Sequence, residues 1–414
     1  MLFTNPVPLG FWQLFAAGMS LCLATAANAD GAFERMPFET GPKAAQPSIT
    51  FDAGEGFVVT WQEQASDGNA LRFAVLDTMG RESRRGTVSS GAERFINSAD
   101  FPSLAVLDNG DWVTFWLQKT ASGTYAYEIR TVRSRDKGRS WDTPAVVHRD
   151  GTPTEHGFVS MVPAGEDKVR LIWLDGRRMA STADAHGEGG DEHMTLRTAL
   201  VGREGVPTEE RELDSLTCAC CQTDMVRGSK RTAVVYRDRT EKEVRDIAVV
   251  AFDADATKPR LVHDDAWTMP GCPVNGPALA VRGERFLTAW PTMAKGPMEV
   301  RVALGDGTTF DAPRTLGQGD AETGRVDVAA VADGWLVSRV STRERTPIIT
   351  LTWLSADGTL VAEKQTAGPV GGYPRMAVAD DAVMIVFTEP AGQGNSRVGL
   401  LRTVGRSAEI IGMK

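Results

Sequence analysis

The sequence predicts an all-β fold, a β-propeller with six or seven blades. Strand-like runs rich in Val, Trp and Phe recur along the whole chain, and turns of Gly, Asp and Asn separate them. Helical periodicity nowhere extends beyond about two turns. The runs also repeat at intervals of roughly 47 to 64 residues, which suits a four-stranded blade with loop insertions.

Each repeat consists of a short first strand, a turn and a second strand with large apolar side chains. In the second repeat, Pro102 stands at the opening, residues 108–110 form the turn and residues 112–116 form the apolar strand. Seven repeats align in this way, and they open at Pro47, Pro102, Phe158, Thr223, Pro277, Val326 and Pro374. Seven openings fit seven blades, or six blades closed by strands from both termini. Two β-sandwich domains would instead require a break in composition near the middle of the chain, and the sequence shows none.

The first 29 residues have the features of a secretory signal peptide. They carry no charged side chain, they contain an apolar stretch at residues 11–23, and they end in the small-x-small cleavage pattern Ala-Asn-Ala. We therefore expect residues 1–29 to be removed and residues 30–414 to form a single propeller domain that is periplasmic or secreted. A membrane anchor is the alternative, although the apolar stretch is short for a span. No later segment is long and apolar enough to cross a bilayer.

The charge balance argues against a nucleic-acid partner. Lys and Arg total 45 while Asp and Glu total 54, so the formal net charge is -9, and the sequence contains no basic run. Binding to a phosphate backbone requires clustered positive charge. We expect a monomer that does not bind nucleic acid.

Residues 134–141 form the motif S-R-D-K-G-R-S-W. Asp136 can accept hydrogen bonds from the amides of a turn, Gly138 can adopt the left-handed conformation, and Trp141 can pack beneath the turn. A degenerate copy begins at Asp306 and Gly307. The motif resembles the Asp-box, or BNR repeat, of sialidases and related propellers. This resemblance implies a structural hairpin between the outer strands of a blade.

A closer resemblance covers about the last 260 residues of the chain. The strings WLDGR, CACCQT, VVYRDR, EVRDI, GCPVNGPALA and GRVDVA are similar to those of exported bacterial proteins of the sialidase-like group. Catalytic sialidases carry an Arg-Ile-Pro signature near the first blade, and the first repeat of this chain has no such string. We therefore expect a sialidase-like propeller that binds a glycan or small anionic ligand and lacks sialidase activity.

Propeller geometry predicts where such a ligand would bind. The loops that enter the innermost strands of a propeller converge at one mouth, which places Glu155, His156 and the segments 218–223 and 272–275 near the axis. Arginine recognises carboxylates and phosphates with two parallel hydrogen bonds, so arginines at this mouth would form an anion or glycan site. The expected ligand-binding residues are Arg177, Arg237, Arg245, Asn275, Arg325, Asp327, Tyr373 and Arg375, with Arg375 as the arginine expected to be free. The alternative is that these arginines pair with aspartates and fix blade to blade.

A glycoside hydrolase is the enzymatic alternative. In that case Asp175 with Asp238 or Asp246 would act as the acid and base. Tyr236 or Tyr373 would be the nucleophile of a sialidase-like enzyme. Tyr236 ends an apolar strand, so a place at the edge of the core is the competing interpretation.

The predicted mature chain has four cysteines, and three of them crowd into the segment C-x-C-C. Cys218, Cys220, Cys221 and Cys272 allow three interpretations: disulfides, in which one of the first three pairs with Cys272, a copper or zinc site made by the thiolates, or a thiol-redox protein. No other cofactor is expected, although the loop 186–193 contains acidic residues and two histidines that could bind a further metal ion.

Overall fold

The computed structural model describes residues 33–179, 193–252, 256–366 and 368–406. The predicted signal peptide, residues 1–29, lies outside the described residues, as does His186. The described residues form seven antiparallel sheets of four strands each. The predicted all-β propeller is therefore confirmed, and the structure selects seven blades. No helix among these residues is long and apolar enough to cross a membrane.

The chain enters through a short strand, β1 (Glu34–Met36), and then builds the blades in order. Blade 1 consists of β2 (Ala45–Asp52), β3 (Gly56–Ala65), β4 (Gly68–Leu76) and β5 (Glu82–Gly91). Blade 2 consists of β6 (Leu104–Val106), β7 (Trp112–Lys119), β8 (Tyr127–Ser134) and β9 (Ala145–Val146). Blade 3 consists of β10 (His156–Pro163), β11 (Val169–Asp175), β12 (Met194–Val201) and β13 (Pro207–Thr217), with a 3-10 turn at Arg177–Met179.

The remaining blades follow the same order. Blade 4 consists of β14 (Asp224–Arg227), β15 (Thr232–Arg237), β16 (Ile247–Phe252) and β17 (Arg260–Leu261). Blade 5 consists of β18 (Ala278–Arg282), β19 (Arg285–Thr292), β20 (Glu299–Gly305) and β21 (Arg314–Gln318). Blade 6 consists of β22 (Glu322–Val331), β23 (Gly334–Arg343), β24 (Thr346–Ser355) and β25 (Leu360–Gln365). Blade 7 consists of β26 (Gly371–Ala379), β27 (Ala382–Pro390), β28 (Ser396–Val404) and β1.

The first strands of the seven blades form a closed ring. Each of these strands contacts the first strand of both neighbouring blades, and β26 of blade 7 contacts β2 of blade 1. The ring is also closed at its outer edge, because β1 pairs with β28 and places Arg35 opposite Leu401. The last blade thus contains strands from both ends of the chain.

The hydrophobic core lies between the blades. Seven clusters of buried side chains are present, and each joins two neighbouring blades. Both faces of each sheet are covered in this arrangement. A strand in the middle of a blade, such as β16, is therefore buried at every position. Each large apolar side chain buried in this way contributes about 1.5 to 3 kcal/mol.

The turn at residues 134–141 connects β8 to β9, as the sequence predicts for a hairpin between outer strands. Asp136 Oδ1 accepts a hydrogen bond from the Ser140 amide at 2.8 Å, and Gly138 has a φ of +83°. Trp141 packs edge-on against Phe73 of blade 1, with ring centroids 6.1 Å apart. The equivalent turn of blade 5 contains Asp306, whose Oδ1 accepts from the Thr308 amide at 2.8 Å.

Candidate functional site

The ring of inner strands encloses a polar cavity of about 170 Å³ on the propeller axis. Its walls come from the first strands of blades 1 to 4 and from Arg375 of blade 7. The hydroxyl and carboxyl groups of the lining belong to Ser48, Thr50, Asp100, Ser103, Ser160, Thr223 and Asp224. The side chain of Gln222 also contributes polar groups to the lining, and the aromatic ring of Phe101 is an apolar part of it. Of the residues that the sequence predicts at the mouth, Gln222, Thr223 and Arg375 line this cavity.

Arg375 lies at this cavity between two carboxylates. Its Nη1 is 3.1 Å from Asp327 Oδ1, and its Nη2 is 4.0 Å from Asp224 Oδ1. Its guanidinium also lies over the ring of Phe101, 5.7 Å from the centroid. The expectation that Arg375 is free of a carboxylate partner is therefore wrong. Burial raises the pKa of Asp327 to about 6 although Arg375 opposes the shift, and burial also raises the pKa of Asp224.

Asp100, which lines the cavity, also belongs to a buried group with Tyr127 and Glu155. The Tyr127 hydroxyl lies 2.7 Å from Glu155 Oε1 and 3.3 Å from Asp100 Oδ2. All three side chains are buried. Burial raises the pKa of Asp100 to about 7 and the pKa of Glu155 to about 8, so near pH 7 Glu155 is mostly protonated and Asp100 is partly protonated.

Asp175 and Arg177 form a buried ionic network at the end of β11. Arg177 Nε donates to Asp175 Oδ1 at 2.7 Å, and its Nη2 donates to Glu210 Oε1 at 2.8 Å. Burial is the largest single influence and opposes ionisation of Asp175, but the hydrogen bonds from Arg177 and Trp173 and the charges of His156 and Arg177 together lower the pKa of this carboxyl. Asp175 is fully buried and does not line the axial cavity, so the structure uses this pair to connect strands within blade 3.

Two stacked histidines adjoin this network, and sequence reasoning missed their interaction. The rings of His148 and His156 are parallel with centroids 3.7 Å apart, and both face the carboxylate of Asp150. Arg177 Nη2 also lies 3.3 Å from Asp150 Oδ2. This positive charge disfavours a metal ion among the three side chains. His193 of the predicted metal-binding loop lies 3.2 Å from Arg178 Nη1.

Tyr236 lies in β15 of blade 4. Asp238 and Asp246 lie in the loop between β15 and β16. The Tyr236 hydroxyl donates to Asp214, and the ring is part of the core between blades 3 and 4. Burial and the neighbouring Asp214 raise the pKa of Asp238 to about 7. Asp246 accepts hydrogen bonds from the amides of Ala266 and Trp267, at 2.8 and 3.0 Å. None of these side chains lines the axial cavity described above.

Arg237 and Arg245 make their hydrogen bonds inside the protein. Arg237 is 1% exposed and donates to the backbone carbonyls of Asn275, Arg245 and Pro291 at 2.7 to 3.2 Å. Arg245 Nη2 donates to Glu243 Oε2 at 2.6 Å, and its Nη1 donates to Cys218 Sγ at 3.3 Å. Both guanidinium groups therefore hold loops of blades 4 and 5 in place.

Asn275, Arg325 and Tyr373 meet beside the cavity. The Tyr373 hydroxyl lies 2.5 Å from Val274 O and 2.9 Å from Asn275 Oδ1. Arg325 stacks over the Tyr373 ring with 5.4 Å to the centroid, and Asn275 Nδ2 donates to Thr323 O at 2.9 Å. The loop before blade 5 is thus connected to blades 6 and 7 across the mouth.

The cysteines lie together at the same mouth. Cys220 and Cys272 form a disulfide with a Cα–Cα distance of 6.1 Å, while Cys218 and Cys221 are buried thiols. The disulfide interpretation is the one present in the structure. Two thiols are fewer than the three or four protein ligands that zinc sites use. A zinc site with four cysteine ligands would require the Cys220–Cys272 bond to be broken.

Asp100, Phe101 and Asp224 are cavity residues that sequence reasoning missed. Asp100 and Phe101 directly precede the opening of the second repeat at Pro102, and Asp224 directly follows the opening of the fourth repeat at Thr223. Each of these residues lies within two positions of the residue that opens a repeat. A prediction that included two positions on either side of each opening would therefore have identified them.

The chain matches no protein-family model and no curated protein. Solved propellers are similar to it in structure. A protein of unknown function from Dyadobacter fermentans is 10% identical with a TM-score of 0.51, and the match covers 91% of this chain and 99% of that one. A puromycin-hydrolyzing peptidase from Mycobacterium tuberculosis is 12% identical with a TM-score of 0.50, covering 86% of this chain and 53% of that one. A Trypanosoma rangeli sialidase is 9% identical with a TM-score of 0.49, covering 87% of this chain and 60% of that one. At these identities the similarity concerns the fold alone.

Proposed function

We propose that this propeller binds one unit of a neutral glycan in its axial cavity and does not act as a sialidase. The observation that carries the proposal is the position of Arg375 between Asp327 and Asp224. The positive charge of this arginine is offset by carboxylates, so it does not make the cavity cationic. An anionic ligand would face Asp224 without a surplus of positive charge.

Hydroxyl groups fit this lining better than a carboxylate does. A sugar hydroxyl both donates and accepts, and so can pair with the carboxylate of Asp224, the guanidinium of Arg375 or the hydroxyls of Ser48 and Ser103. The cavity of about 170 Å³ is smaller than the roughly 300 to 1,000 Å³ of sites for drug-sized ligands. We therefore infer that a single terminal sugar enters, with Phe101 as the apolar contact.

The test is a glycan array of neutral and sialylated oligosaccharides, followed by calorimetric titration of the best ligand. Ser103→Phe fills the cavity and is expected to weaken binding by roughly tenfold or more, which corresponds to about 1.4 kcal/mol. Ser229→Phe is the matched control, because Ser229 is exposed on the turn between β14 and β15. Binding restricted to sialylated ligands, or turnover of a fluorogenic sialoside, would contradict the proposal.

A second candidate function is hydrolysis of a neutral glycoside. It is favoured by two carboxyls that line the cavity, Asp100 with a pKa raised to about 7 by burial, and Asp224. A carboxyl that is protonated near neutral pH can act as a general acid. Release of reducing sugar from a bound oligosaccharide, lost in Asp100→Asn while binding persists, would support this candidate. Binding without any release would leave only the first function.

We further propose that the protein is exported after removal of residues 1–29. The basis is the uncharged, apolar N-terminal segment and its cleavage pattern. N-terminal sequencing of protein recovered from the periplasm or the medium tests this, with Asp30 expected as the first residue. A retained N-terminus would contradict the proposal.

A further inference from the structure

Four sulfur atoms form a continuous path from the core of the propeller to its surface. Cys218 and Cys221 are 0% and 1% exposed, Cys220 is 8% exposed, and Cys272 is an exposed residue. The disulfide between Cys220 and Cys272 therefore connects the buried part of the path to solvent. A reagent from outside reaches Cys272 first.

The distances between these sulfurs suit exchange. Cys218 Sγ is 3.5 Å from Cys221 Sγ and 3.9 Å from Cys220 Sγ. Cys218 and Cys221 also have the C-x-x-C spacing in which a reactive dithiol and its disulfide interconvert without movement of distant segments. The buried dithiol and the surface disulfide thus adjoin at Cys220.

The charged groups around Cys218 favour its thiolate. Arg245 Nη1 contacts its sulfur at 3.3 Å, and the positive charge of Arg237 also acts on this thiol. The hydrogen bond with Cys221 and these two arginines lower the pKa of Cys218 to about 6, whereas burial raises the pKa of Cys221. Glu243 is the acidic group of this environment, and it is paired with Arg245. Cys218 is therefore the sulfur that attacks.

We propose that these four cysteines form a thiol–disulfide relay that moves the disulfide between the surface and the core. In the first step, the Cys218 thiolate attacks Cys220 Sγ, so that a Cys218–Cys220 bond forms and Cys272 leaves as a thiolate. In the second step, Cys221 loses its proton and attacks Cys218 Sγ, so that Cys218–Cys221 forms and Cys220 leaves. One disulfide and two thiols are present before and after, and the proton from Cys221 ends on Cys220 or Cys272.

The relay changes which loops of the mouth are connected by a disulfide. The Cys220–Cys272 bond connects the loop before blade 4 to the loop before blade 5, and the Cys218–Cys221 bond lies within one loop. The released segment includes Val274 and Asn275, which contact the Tyr373 hydroxyl. The exchange therefore presents a thiol at the surface, where a disulfide of a small molecule or partner protein can react with it.

The test traps the exposed thiol in the native mature protein. The protein is incubated anaerobically with iodoacetamide and no reductant, then digested without reduction and mapped by mass spectrometry. The expected product carries the alkyl group on Cys272 together with a Cys218–Cys221 disulfide. Cys218→Ser is expected to slow this labelling by roughly tenfold or more, because the attacking sulfur is absent.

Two results would overturn the relay. One is wild-type protein in which the Cys220–Cys272 disulfide persists while Cys218 and Cys221 remain thiols throughout the incubation. That result would show that no exchange occurs, and it does not depend on the folding of a variant. The other is stoichiometric copper or zinc in protein purified anaerobically, with all four cysteines reduced. Labelling of Cys221→Ser on Cys272, together with a Cys218–Cys220 disulfide, would separate the first step from the second and support the order given above.

Discussion

The two ends of the axial channel are built by the same inner strands but have opposite chemistry. At the end where the strands begin, the cavity is lined by hydroxyls, carboxyls and Arg375. At the other end, an opening of about 460 Å³ is lined by Val162, Leu279, Val328 and Met376 with other apolar side chains. Polar groups suited to recognising a ligand are concentrated at the cavity formed by blades 1 to 4 and Arg375, and apolar packing predominates at the far end.

The largest effect that tests this difference is expected from the loss of Arg375, because its partner Asp327 is buried. Arg375→Met leaves Asp327 and Asp224 without their positive partner, and we expect a loss of about 3 to 5 kcal/mol in the free energy of unfolding at pH 7.5. The loss should shrink at pH 5, because Asp327, with a pKa of about 6, becomes protonated there. Urea denaturation at the two pH values measures both quantities.

The far end offers a matched control for this arginine. Arg227 pairs with Asp108 at 2.7 Å, but both side chains are about 40% exposed. Arg227→Met is therefore expected to cost less than about 1 kcal/mol. Equal losses from the two substitutions would show that the polar end is not electrostatically distinct.

The second prediction distinguishes substitutions that lower the stability of the protein from substitutions that weaken ligand binding. Leu279 is buried at the apolar end, and Leu279→Ala is expected to reduce the free energy of unfolding by about 2 to 3 kcal/mol without changing affinity for the glycan. Ser160→Ala at the polar end removes a 2.7 Å hydrogen bond to Thr223, and is expected to cost about 1 kcal/mol of stability while weakening binding. Denaturation and calorimetric titration of both variants test the contrast. Weaker glycan binding in Leu279→Ala would contradict it.

The fold was predictable from the sequence because its signals are local. Each blade repeats the same order of turn residues and large apolar side chains, and this order can be read without knowledge of the other blades. The number of blades was ambiguous for a physical reason. The closing strand β1 has three residues, none of them buried, and such a segment has no pattern of apolar side chains to recognise.

The candidate site was predictable only in its location. The convergence of the entry loops brought Cys220 to Cys272 and Arg375 to Asp327, as the repeat positions indicate. The partners of individual polar groups could not be read in this way. Arg237 and Asp238 are adjacent in sequence, yet the guanidinium of Arg237 extends to the carbonyl oxygens of Asn275 and Pro291. The partner of each polar group depends on distances between blades, and a local sequence pattern carries no information about those distances.

The smallest effect concerns the pH dependence of the polar end. Burial raises the pKa of Asp100 to about 7 from its ordinary value of 3.8, so the folded protein holds a proton that the unfolded chain releases. The contribution of this carboxyl is most favourable below pH 4 and is lost as the pH rises through 7. Asp100→Asn cannot ionise, and its stability relative to the wild type should increase between pH 5 and pH 8 by about 1 kcal/mol or more, at least the equivalent of one pKa unit. Urea denaturation across this range measures the difference, and Leu279→Ala is the control whose offset from the wild type should not vary with pH. A constant offset for Asp100→Asn as well would show that the carboxyl is ionised in the folded protein, which would remove the basis for assigning an acid to the polar cavity.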